Sequence, residues 1–177
     1  MDSDPLPVEH SLQDYLPRLE SLLQELIRHA HFALAFSIQK GASTPDDSEA
    51  PEYVVDFSGP DADLLLEKNA ALLNAIEYVV LKAVRVEEEY FGKVSFDCQD
   101  WRRLRNEELR LTAQVAAQRV IETGDPFTLS PMNPRERRVI HLALRGHAQV
   151  LTKSEGMGAE RRVVIVPVSL PSRGMHR

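Results

Sequence analysis

Cysteine is nearly absent: Cys98 is the single thiol in 177 residues. It cannot close an internal disulfide, and no His or Cys at ligand spacing surrounds it. That excludes a disulfide framework and a thiolate zinc site, and it points to a reducing compartment. Long apolar runs are absent as well. None approaches the roughly 20 residues that span a bilayer, so no direct membrane insertion is expected. The opening Met1–Asp2–Ser3–Asp4–Pro5 has neither a basic n-region nor an apolar h-region, which argues against a signal peptide and for a cytoplasmic protein. Gly-x-Ser-x-Gly, Walker and His-Glu-x-x-His patterns are missing, as are internal repeats and low-complexity tracts. The expectation is a chain with no cofactor, no metal and no enzymatic activity.

What the chain does have is material for a core and an uneven distribution of charge. Apolar residues make up 43 %, so one ordinary domain or two small ones can pack without staples. The formal net charge of −6 conceals a split: residues 1–100 carry 7 Lys+Arg against 20 Asp+Glu, and residues 101–177 carry 14 against 7. Two units with different partners would produce that split, and only the basic one is an obvious polyanion binder.

Apolar residues Tyr15, Leu19, Leu22, Leu23, Leu26 and Ile27 recur at three- and four-residue steps, predicting an amphipathic helix from about Asp14 to His29. Pro17 is tolerable in its first turn. Residues 31–39 and 52–58 read as strands, separated by a flexible loop from Gly41 to Pro51. A short helix over 61–66, a longer one over 70–84 and a strand over 92–98 follow. The longer helix should bury Leu72, Leu73, Ile76, Val79, Val80 and Ala83. The order is α-β-β-α-α-β. Beyond it lie a helix from Trp101 to Thr123, stopped by Gly124 and Pro126, a short strand at 127–130, a helix at 134–145, and strands near 148–153 and 162–168. The fold class is α+β.

The most informative stretch is Asn133–Pro134–Arg135–Glu136–Arg137–Arg138–Val139–Ile140–His141. Asn133 suits an N-cap, Pro134 the first helical position, and Glu136 completes a capping box. At about 100° per residue, Arg137, Arg138, His141 and Arg145 share one arc, and Val139, Ile140, Leu142, Ala143 and Leu144 fill the rest. The basic arc should face water or a ligand. Guanidinium forks suit phosphate oxygens, and histidine can donate to a phosphate or stack on a base. Arg137 and His141 lie one turn apart, within reach of one nucleotide. Downstream come Ser154–Glu155–Gly156, then Arg161–Arg162 leading into Val163–Val164–Ile165.

With those residues in that order, the segment from Trp101 to Pro167 resembles the R-3-H domain, named for its Arg-xxx-His pattern, a family that binds single-stranded RNA or DNA. The resemblance implies an α-β-α-β-β unit with Arg137 and His141 as the signature pair. It also implies that the strand carrying the last arginines lies beside the signature helix, so that the charges pool. The expected nucleic-acid-binding residues are Arg137, Arg138, His141, Arg145, Lys153, Ser154, Arg161 and Arg162.

The first half has the element order of a type II KH domain, and the pairing of the two domains resembles the bacterial Jag family, also called KhpB or EloR. Asp61–Ala62–Asp63–Leu64–Leu65–Leu66 matches the family's Asp-Ala-x-Leu-Leu-Ile lead, and Leu73–Asn74–Ala75–Ile76–Glu77–Tyr78 matches its following helix. Between them, Glu67–Lys68–Asn69–Ala70 stands where the family has Gly-x-x-Gly. Both glycines that permit close approach of the nucleic-acid backbone are gone, and Glu67 brings a carboxylate. This KH-like unit is therefore expected not to bind RNA by the usual route, and to serve as a partner or dimerisation platform. The family's small amino-terminal module is not expected here; the resemblance implies roles in sporulation or cell elongation and a place near the insertase SpoIIIJ, and those roles are linked to that module.

The expected layout is a disordered tail at 1–11, a degenerate KH-like domain at 12–99, an R-3-H domain at 100–170 and a disordered tail at 171–177. The expected function is single-stranded RNA binding of low sequence specificity. The alternatives are a protein-interaction scaffold with vestigial nucleic-acid binding, or single-stranded DNA as the ligand. His29 and His31 lack a third metal ligand, and Glu87–Glu88–Glu89 reads as a solvated turn. Ser154 with His141 could be imagined as nucleophile and base, but the sequence offers no third orienting group.

Overall fold

The computed structural model describes residues 11–41 and 50–168. Residues 1–10 of the expected first tail, most of the expected loop Gly41–Pro51, and the expected tail 171–177 lie outside the described residues. Ser11, assigned to the tail from sequence, instead opens the first helix, α1 (Leu12–Ala30). Its N–H donates to the Asp14 carboxylate at 2.8 Å, which satisfies one of the free donors at a helix start.

The fold is a mixed α+β arrangement in two compact units, Met1–Trp101 and Arg102–Arg177. In the first, α1 is followed by β1 (Ala35–Lys40), β2 (Tyr53–Ser58), α2 (Ala62–Ala83) and β3 (Val94–Cys98). The sheet order is β1-β2-β3. β1 and β2 run antiparallel, and β2 and β3 run parallel, so the β2-to-β3 connection must be a crossover, which α2 supplies. Tyr53, Val55 and Phe57 alternate inward from β2 while Asp56 and Ser58 stay exposed. They meet Leu19 and Leu23 of α1 and Leu65, Leu73 and Val80 of α2 in one apolar core. Glu77 of α2 accepts the Phe96 N–H of β3 at 3.2 Å.

Within α2 the backbone leaves the helix over four residues. Glu67 is extended (φ −57°, ψ 151°), and Lys68, Asn69 and Ala70 are left-handed at φ 48°, 63° and 55°. The element is thus two helical runs separated by a tight loop at Glu67–Ala70. In the second run the buried stripe is Leu73, Ile76, Val80 and Leu81. Val79 is 53 % exposed and Ala83 is also exposed, correcting the sequence expectation for both. The buried arc centres on positions 73, 76, 80 and 84, and both residues fall outside it.

The second unit comprises α3 (Trp101–Thr123), β4 (Phe127–Thr128), α4 (Pro134–Ala143), β5 (Val150–Glu155) and β6 (Arg162–Pro167). Its sheet has the order β4-β6-β5 with both pairings antiparallel. Leu109, Ala113, Ala117 and Val120 of α3 pack with Ile140 of α4 and with Val150, Val163 and Ile165 of the sheet. α4 ends at Ala143 rather than the expected 145, and Leu144 caps it in a non-helical conformation.

Candidate nucleic-acid interface

α4 begins where the sequence specifies. The Asn133 side chain accepts the Glu136 N–H at 2.9 Å, and the Glu136 carboxylate accepts the Asn133 N–H at 3.1 Å. Glu136 does more than cap. Its side chain is 5 % exposed, and it forms a 2.7 Å ion pair with Arg105 Nε of α3. Arg105 also pairs with Glu108 at 2.9 Å. A buried carboxylate needs such partners, and this pair ties the orientation of α4 to α3. The partnership spans 31 residues of sequence, and no local pattern announces it.

One turn further on, Arg137 and His141 lie on the face of α4 that meets β5. Alternate residues of β5, Thr152 and Ser154, are half-buried, while Leu151, Lys153 and Glu155 are exposed. His141 Nδ1 lies 2.6 Å from Thr152 Oγ1, and Nε2 lies 2.9 Å from Ser154 Oγ. Arg137 Nη1 donates to the same Ser154 Oγ at 3.3 Å. Arg137 Nε is buried and, among the described residues, meets no acceptor. Burial first, and the Arg137 guanidinium second, hold the His141 ring below its ordinary pKa of 6.5, so the ring is neutral near pH 7. The basic arc was expected to face water. Its Arg137–His141 part is instead half-buried against β5, and Leu142, assigned to the covered side, is 44 % exposed.

The β5–β6 turn is tightly specified. Gly156 has φ +88°, and a Cβ there would come within 2.9 Å of the Glu160 carbonyl oxygen. Glycine meets both demands. The register that follows pairs Glu155 with Arg162, Lys153 with Val164, Ser154 with Val163 and Thr152 with Ile165. Residues directly opposite in an antiparallel ladder share a face. Val163 and Ile165 belong to the core with α4, so Ser154 and Thr152 are on that side. Arg162 and Lys153 are on the other, where Lys153 pairs with Glu155 at 2.7 Å.

The expected pooling of every basic residue into one cradle is therefore corrected. Arg162 and Lys153 occupy the sheet face opposite α4, because strand side chains alternate. Arg161, extended at φ −73° and ψ 130°, is exposed and precedes β6, outside the ladder that fixes the sides of the strand residues. Its carbonyl accepts the Met132 N–H at 3.1 Å, next to the start of α4. Arg138 and Arg145 are exposed, Arg145 in the turn beyond the helix. The structure thus brings together Arg137, His141, Ser154 and, from the sequence unnoticed, Thr152. Thr152 is a third group on the His141 ring, one that is not evident from the sequence. It is a hydroxyl, which cannot balance an imidazolium as a carboxylate does.

The remaining candidates have structural partners. His29 pairs with Glu25 at 3.2 Å, and His31 is the left-handed cap of α1. Among the described residues no cluster of three or more His, Cys, Asp or Glu could hold a metal ion, and no helix is long and apolar enough to cross a membrane.

Comparison with known proteins bears on the same segment. Residues 107–167 match the R-3-H domain. The chain is 34 % identical over 114 residues to the RNA-binding protein KhpB of Clostridium symbiosum, covering 64 % of this chain and 51 % of that protein. It is 34 % identical over 111 residues to the RNA-binding protein KhpB of Bacillus subtilis (strain 168), covering 62 % and 53 %. The Lactiplantibacillus plantarum protein of the same name is 31 % identical over 111 residues, covering 63 % and 34 %. The chain spans about half the length of the first two relatives.

Proposed function

We propose that this chain binds single-stranded RNA, with low sequence specificity, through the α4–β5 side of its second unit. The observation that carries the reading is the Arg137–Ser154–His141 cluster inside the segment that matches the R-3-H domain. Arg138, Arg145 and Arg161 supply further charge. Phosphate contacts dominate such binding, and few side chains here could read base edges. The name of the relatives, RNA-binding protein KhpB, supports RNA over DNA. The role is binding rather than catalysis, and an RNA ligand implies the cytoplasm as its place of action.

The full chain should bind a single-stranded oligouridylate with an affinity that falls with salt. Four phosphate contacts correspond to a log–log slope of roughly −3, at about −0.7 per contact. Arg161→Ala should reduce that slope by about 0.7, and Arg162→Ala should change it little. Salt-independent or absent binding would refute the reading. Preference for oligothymidylate would move it to DNA.

The first unit is a type II KH-like domain that acts as a partner or dimerisation platform. Its glycine-free loop and acidic composition favour that role over RNA binding. They also motivate the second reading, a protein scaffold with vestigial nucleic-acid binding. Crosslinking from cells separates the two: RNA recovered with the chain and lost with Arg137→Ala supports the first reading. A protein partner recovered without RNA supports the second.

A further inference from the structure

We infer that His141 is a positioning residue: it does not touch the nucleic acid but sets the direction of the Ser154 hydroxyl proton. The inference rests on the RNA-binding reading above. Both ring nitrogens already have partners, Thr152 Oγ1 at 2.6 Å and Ser154 Oγ at 2.9 Å. A ring held at both nitrogens and half-buried between helix and strand is badly placed to stack on a base.

The hydrogen-bond inventory then limits what Ser154 can do. Its oxygen has one proton and two lone pairs. Arg137 Nη1 occupies one lone pair. A neutral imidazole carries one N–H. If that proton is on Nδ1, it donates to Thr152, and the bare Nε2 takes the Ser154 O–H. Ser154 then has no donor left for a phosphate oxygen, which can only accept. If the proton is on Nε2, it fills the second lone pair of Ser154, and the Thr152 O–H donates to Nδ1. The Ser154 O–H is then free and points away from both neighbours. A phosphate oxygen can be held by Ser154 only in this second arrangement, so an anionic ligand selects the Nε2–H tautomer. Thr152 is part of the device because it can either donate to Nδ1 or accept from it.

The test uses the full chain and a single-stranded oligouridylate. Ser154→Ala should weaken binding about tenfold, as loss of a hydrogen bond to a charged group does. His141→Ala should weaken it by a similar factor or less in the wild-type background, and by nothing further once Ser154 is alanine. His141→Gln, which keeps an N–H donor towards Ser154, should recover most of the loss. Thermal unfolding of each variant separates lost folding from lost positioning. The spectroscopic readout is the nitrogen-15 signature of the His141 ring. In the complex Nε2 should be protonated and Nδ1 bare. Losses that multiply to about a hundredfold in the double variant, or an Nδ1–H ring in the complex, overturn the role given to His141. No salt-sensitive binding by the wild-type chain overturns the RNA reading itself.

Discussion

Glu136→Gln isolates the most consequential single contact in the second unit. Glutamine still serves the capping box, but the 2.7 Å ion pair with Arg105 loses its charge. Breaking a buried pair costs about 3–5 kcal/mol. Arg105 keeps Glu108 and partial solvent access, so a loss of about 2–3 kcal/mol is expected by denaturant unfolding. His141 gives a second prediction at this scale. Its folded pKa is depressed by burial and then by Arg137, from 6.5, whereas the unfolded chain titrates near that value. The unfolded state therefore binds the proton first. The stability contributed by neutral His141 is fully present above pH 6.5 and is lost as pH falls through the folded pKa. Unfolding midpoints between about pH 7.5 and pH 5 should decline more steeply for the wild type than for His141→Gln. Equal declines would mean that the ring does not titrate differently on folding.

Among the elements, helices with strong local signals are legible and strand faces are not. The capping residues Asn133, Pro134 and Glu136 place the start of α4 correctly, and Gly124 marks the end of α3 at Thr123. β5, Val150–Leu151–Thr152–Lys153–Ser154–Glu155, gives a weak signal, because both faces carry polar residues. Its inward hydroxyls are recognisable only once the register with Val163 and Ile165 is known. The loop inside α2 offers a prediction at this scale. Three successive non-glycine residues are left-handed there, at a cost of roughly 1–2 kcal/mol each, with Asn69 the most tolerant. Lys68 is exposed and gives up no buried contact on truncation. Lys68→Gly should therefore stabilise the first unit by about 0.5–1 kcal/mol, after the larger chain entropy of glycine is subtracted. A loss of stability would mean that the lysine side chain makes a contact worth more than the strain.

Across the molecule, the charge split read from the sequence follows the two compact units: an acidic one whose loop at Glu67–Ala70 has no glycine, and a basic one that holds the Arg137–His141–Ser154 cluster. Two grounds for expecting no RNA binding by the first unit, its loop and its acidic surface, are separable. Glu67 is extended, a conformation any residue adopts, so a glycine there would serve only close approach of a ligand backbone. Ala70 is left-handed and fully buried, so a glycine there relieves strain but gives up a packed methyl, two effects of similar size near 1 kcal/mol. The double change Glu67→Gly with Ala70→Gly should thus leave stability nearly unchanged while removing the carboxylate and the side chains that block a phosphate backbone. If the loop is the only defect, the full chain gains affinity for oligouridylate, and its salt slope steepens by about 0.7 for each phosphate newly bound. If affinity and slope stay as in the wild type, the surrounding carboxylates, 20 against 7 basic residues over 1–100, exclude RNA whatever the loop allows. The first unit would then have to be neutralised, not only reopened, before it could share the ligand.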